Sequence, residues 1–120
     1  MSGREDKLLK STRTFLARWQ GASVDIREML VSHRMLRIVL YRDPLKRGFE
    51  NLVLSVPGPE WICGPFEWDK SAVDVTVVGP DGLPPSVDSR DGPFYRLADL
   101  TVGFELFAGE FRVAENLKLK

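Results

Sequence analysis

The 120-residue sequence predicts an α+β fold, with an N-terminal amphipathic helix packed on an antiparallel sheet of about six strands. Three observations predict it. Apolar residues near the N-terminus recur at the helical period of 3.6. Most of the remaining chain alternates apolar and polar residues at period two. Gly and Pro clusters interrupt that alternation at short intervals.

The helix comes first. Leu8, Leu9, Thr12, Phe15, Leu16 and Trp19 form one stripe, while Lys7, Lys10, Arg13 and Arg18 lie at other positions around the axis. Ser2 and Glu5 have the capping-box spacing, and Gly21 stands where a left-handed C-cap residue is expected. The spacing predicts a helix over about residues 4–20, with the strands falling within residues 24–115.

Val24/Ile26 and Met29/Val31 read as two short alternating runs joined by a phase slip, as at a β-bulge. Ser32-His33-Arg34 would then turn into a strand, Met35–Arg42, buried on both faces. Ile26, Met29, Leu30 and His33 also have helical spacing, so a second helix capped by Ser23 is the alternative for 24–34.

Phe49–Val56 reads as a strand with Leu52, Leu54 and Val56 on one face, stopped by Pro57-Gly58-Pro59. Trp61–Cys63 is a short strand, and Val73, Val75 and Val77 alternate with Asp74 and Thr76. Residues 79–93 are rich in Gly and Pro and are expected to form a mobile loop. Leu100, Val102, Phe104 and Leu106 alternate, as do Phe111 and Val113. A two-residue turn at Ala108-Gly109 would set Leu106 against Phe111, Phe104 against Val113, and Glu105 against Arg112. Asn116–Lys120 is expected to fray.

Composition narrows the class. A chain of this length with 43% hydrophobic and 28% charged residues has enough apolar surface for a core, so a single domain over 1–120 is expected. The opening MSGREDK has no apolar stretch resembling a signal, and no run approaches the ~20 residues of a membrane helix. Cys63, the lone cysteine, cannot form an intramolecular disulfide, and a cytoplasmic setting is expected.

The net charge of zero disfavours non-specific binding to nucleic acid. The charges are unevenly placed: residues 1–50 hold 11 Lys/Arg against 6 Asp/Glu, and residues 51–120 hold 6 against 11. The first reading is attraction between the halves within one fold. The sharper one is an N-terminal basic face that meets an acidic protein or a phosphate backbone.

Catalytic signatures are missing. There is no phosphate-binding glycine loop and no nucleophile turn. One His and one Cys are too few for a closed zinc site built from those ligands, and no metal or cofactor is expected. Asp81, Asp88 and Asp91 lack the spacing of a calcium loop and read as turn residues. Cys63 with His33 as its base is the one nucleophilic pairing available. Beside Ile62, Cys63 reads first as a small core residue, and His33 as an exposed turn residue.

The segment Glu60–Trp68 is the most unusual. Trp61, Phe66 and Trp68 lie within eight positions, rimmed by Glu60 and Glu67, with Phe94 and Tyr95 expected nearby. Such rings either close one end of the sheet or form an exposed aromatic patch. The patch makes a non-catalytic interaction module, binding a protein or peptide or a second copy of the chain, the leading functional reading. A small-molecule-binding domain or minor enzyme using the same aromatic concavity comes second. A nucleic-acid binder using Arg34, Arg37, Arg42, Lys46 and Arg47 comes third, because those residues alternate with aliphatics near turns.

Overall fold

Apolar stripe and alternating strands assemble in a computed structural model that describes residues 3–30, 34–79, 82–84 and 94–118. One helix, α1 (Gly3–Arg18), precedes β1 (Ser23–Leu30), β2 (Arg34–Tyr41), β3 (Asn51–Pro57), β4 (Trp61–Cys63), β5 (Glu67–Trp68), β6 (Asp74–Val78), β7 (Phe94–Asp99), β8 (Phe104–Ala108) and β9 (Arg112–Glu115). The fold class is α+β, as the sequence predicts. The strands number nine among the described residues and form two antiparallel sheets, where about six in one sheet were expected. The five-stranded sheet has the order β5-β1-β2-β3-β9, and the four-stranded sheet β4-β8-β7-β6.

Period-two patterning explains how the sheets meet. Val24, Leu40 and Leu52 share one level of the five-stranded sheet, and Ile26, Ile38, Leu54 and Val113 the next. Val75, Leu97, Leu106 and Ile62 share a level of the other. These rows join one hydrophobic cluster with Leu16 of α1. Each Leu, Val or Phe buried there contributes roughly 1.5–3 kcal/mol.

α1 stands beside the open edges β6 and β9. Leu16 and Thr12 are buried, while Leu8, Leu9, Phe15 and Trp19 pack partly against the cluster. Arg13 makes a two-point ion pair with Asp74 on β6, and Arg18 pairs with Glu115 on β9. Both pairs join the basic N-terminal half to the acidic C-terminal half. Gly21 ends the helix with φ +84°, as expected of a C-cap, and its N–H bonds the Ser71 carbonyl at 2.8 Å. The Ser2 half of the capping box lies outside the described residues.

Several details differ from the sequence reading. β1 and β2 pair without interruption from Ser23↔Tyr41 to Leu30↔Arg34, so 24–30 contains neither a bulge nor a helix. Ser32 and His33 of the expected turn, and most of 79–93, lie outside the described residues. Leu100 is 77% exposed, because the chain turns after Asp99 and the strand starts only at Phe104. β8 and β9 do not form a hairpin: β8 pairs with β4 and β7, and β9 with β3. Phe111 lies between them, edge-on to Tyr95 at 4.9 Å. Sending β9 to the other sheet still buries the same alternating residues, and it lets the two inner faces cover each other. The tail is tied rather than frayed as far as Leu117, whose N–H and carbonyl both bond the buried Asn51 side chain.

Candidate functional site

The core occupies the inner faces of both sheets, and most polar strand residues lie on the outer faces. On the outer face of the five-stranded sheet, Asp25, Val39, Val53 and Ala114 lie at one level. Two residues along each strand, Arg27, Arg37, Ser55 and Arg112 lie at the next. With strands ~4.8 Å apart, three arginines and a serine form a row running across the strands.

The charges of this row are unequally answered. Arg27 Nε donates to Asp25 Oδ2 at 3.1 Å, and Arg47 Nη1 reaches the same oxygen at 3.1 Å from the loop after β2. The Arg47 guanidinium also stands 5.4 Å from the centre of the Tyr41 ring. Val39 and Val53 are 0% and 1% exposed although they face outward, so the fold already covers them on that side. Arg37 sits directly opposite Arg27, and its Nε is shut away from solvent with no hydrogen-bond partner. Arg112 is exposed and makes no ion pair or hydrogen bond among the described residues. A guanidinium keeps its charge at any ordinary pH, and like charges directly opposite on neighbouring strands repel. This face can hold carboxylates or phosphates by bidentate hydrogen bonds.

The residues singled out from the sequence separate. Trp61 is half-buried on the outer face of the four-stranded sheet, edge-on to Phe107 at 5.8 Å. Glu60 is exposed beside it, its N–H bonded to the Phe107 carbonyl. Phe66, 61% exposed, lies in the connection that crosses between sheets. Glu67 is exposed on the outer face of the five-stranded sheet, paired with Asp25 in register. Trp68 turns inward onto Phe104 at 4.9 Å and donates its indole N–H to Asp99. Phe94 and Tyr95 are buried. The crossing at Gly64 divides the rings: Gly64 has φ +113°, and a Cβ there would lie 2.7 Å from the Phe104 Cα.

Asp99 is a second concentration of polar contacts, and it is structural. Its fully buried carboxylate accepts from Trp68 Nε1, Ala72 N, Thr101 N and the Thr101 hydroxyl. Burial pushes its pKa up, but the bonds from Ala72, Thr101 and Trp68 outweigh burial and hold the carboxyl below its ordinary value.

Cys63, expected in the core, is exposed at the edge strand β4, its Sγ 3.9 Å from the Gly103 carbonyl. His33, its proposed base, lies outside the described residues. Among the described residues no group of three or more His, Cys, Asp or Glu is placed to hold a metal ion, and no helix is long and apolar enough to cross a membrane.

No family model, curated protein or solved structure matches this chain.

Arg37 and Arg47 belong to the basic group visible in sequence, whereas two other members, Arg42 and Lys46, do different work. Arg42 stacks on Trp19 at 5.0 Å and donates to the Arg18 carbonyl, which fixes the end of α1. Lys46 pairs with Glu50. Arg27, Ser55 and Arg112 were missed, because only strand register brings positions so far apart in sequence to one level. The usable signal was the polar parity of each strand: Asp25/Arg27, Arg37 and Ser55 each alternate with buried aliphatics.

Proposed function

We propose that this chain is a non-catalytic binding module whose docking surface is the outer face of the five-stranded sheet and whose partner is an acidic protein surface. One observation carries the reading. Arg37 and Arg112 flank Ser55, neither pairs with a carboxylate among the described residues, and Arg37 Nε–H is desolvated and unsatisfied. A buried donor left without a partner costs about 1–3 kcal/mol, which a carboxylate from outside would recover after a small side-chain rotation. An acidic partner is favoured over nucleic acid because the aromatic ring of this face, Tyr41, is already covered by Arg47 and offers no stacking platform. A cytoplasmic setting fits the exposed thiol of Cys63.

The test is binding of fluorescent poly-glutamate, with poly-lysine as control, over a range of salt. Poly-glutamate binds the wild-type chain, weakens as salt rises, and is lost in Arg37→Glu/Arg112→Glu. Retained binding in that variant overturns the reading. A second reading, contact through the exposed Phe66 and half-buried Trp61, keeps the aromatic surface for a second copy of the chain. A mass by sedimentation that stays monomeric at high concentration removes it.

A further inference from the structure

Resting on the acidic-partner reading, we infer that the element docking on this face is an α-helix with an acidic stripe, lying across the strands along the row Arg27, Arg37, Ser55, Arg112.

Spacing and direction carry the inference. Arg27 and Arg37 are direct neighbours across β1 and β2, about 5 Å apart at the backbone, and Arg112 lies two strands beyond Arg37, about 10 Å away. The row from Arg27 to Arg112 thus spans about 15 Å, and a helix presents residues i and i+3 or i+4 about 5–6 Å apart on one face, with i+11 on that face about 16 Å along. One acidic face therefore meets all three arginines. An extended segment following the strands meets only one arginine of the row. Crossing the strands, it would leave its own N–H and C=O groups unpaired, because the face of a sheet offers no backbone partners. A helix satisfies its backbone internally and brings side chains alone.

The neighbouring row completes the seat. Val39, Val53 and Ala114 run parallel to the arginines about 6.8 Å away along the strands; Val39 and Val53 are already covered in the free chain, so of this row only the half-buried Ala114 is left for an apolar flank of the helix to touch. Asp25 and Glu67 stand at the far end of that apolar row. Asp25 is already held by Arg27 and Arg47, whereas Glu67 is exposed and repels an acidic helix end, which biases the footprint toward Arg37 and Arg112.

The experiment uses the full chain and fluorescence anisotropy with four probes. These are a helical peptide with glutamates in one stripe, a helical peptide with the same glutamates spread around the axis, a proline-interrupted peptide with the same glutamate count, and oligothymidylate. The striped helix binds about five- to tenfold more tightly than the spread one, as expected for a few additional ion pairs. Arg37→Glu/Arg112→Glu loses the striped peptide and gains a lysine-striped one; if that variant fails to fold, Arg112→Glu at the exposed end carries the comparison. Equal affinity for striped, spread and interrupted peptides overturns the helix inference while leaving the acidic-partner reading intact. No binding by any peptide, or tightest binding by oligothymidylate, overturns both.

Discussion

The two outer faces of this molecule are built by the same alternation and finished in opposite ways. On the four-stranded sheet, Arg96 is answered within the fold by the Glu105 carboxylate on the adjacent strand. Phe107 is covered by Trp61, and Asp74 at the edge takes Arg13 from α1. On the five-stranded sheet, Arg37 meets Arg27 across one strand and Ser55 across the other. The first face answers Arg96 within the fold; on the second, Arg37 Nε has no hydrogen-bond partner and Arg112 makes no ion pair among the described residues. Charge pairing on a sheet is decided by which residues register brings opposite each other, so equally polar strands can yield a face that pairs its charges or one that leaves arginines unanswered.

The strongest way to separate structure from function in this comparison lies beneath the first face. Asp99→Ala leaves the Trp68 indole, Ala72 N–H and Thr101 N–H without their acceptor. It should destabilise the chain by on the order of 3–5 kcal/mol in urea unfolding, since each orphaned donor costs about 1–3 kcal/mol. Loss of less than about 1 kcal/mol would show that Asp99 does not hold the sheets together. The pH dependence follows from the lowered pKa of Asp99. Its stabilisation is present above the carboxyl pKa of the unfolded chain and disappears as pH falls through the lower folded value. Asp99→Asn should flatten that acid limb, and an unchanged limb would assign it to other carboxylates.

A smaller effect sharpens the contrast between the faces. A double-mutant cycle on Arg96→Ala and Glu105→Ala should give a favourable coupling of about 1 kcal/mol, as for a half-buried ion pair. Zero coupling would mean that the paired face is no more self-satisfied than the other. The smallest effect has the opposite sign. Arg37→Met removes a like-charge opposition and an orphaned Nε–H while keeping an apolar stem. It should leave stability unchanged or raise it by up to about 1 kcal/mol while weakening poly-glutamate binding, the trade expected where a fold holds strain for function. A clear loss of stability in Arg37→Met would make Arg37 a structural residue and close the comparison.

The alternating runs settled much of this protein by themselves. The stripe Leu8–Trp19 specified a helix, and Leu52/Leu54/Val56 and Val73/Val75 specified inward faces, because burial at period 3.6 or 2 depends on neighbours along the chain. Phe104, Leu106 and Phe111 were legible as core for the same reason, although their hairpin was not.

Tertiary structure alone decided which sheet each strand joined. A strand's pattern says that one face must be covered and not by what, so β9 could leave β8 for β3 with Phe111 still buried and Val113 still packed against the core. The candidate site falls on that side of the line. Arg27, Arg37, Ser55 and Arg112 come from four strands and share a row only through pairing across the sheet, a relation between distant residues that no local pattern encodes.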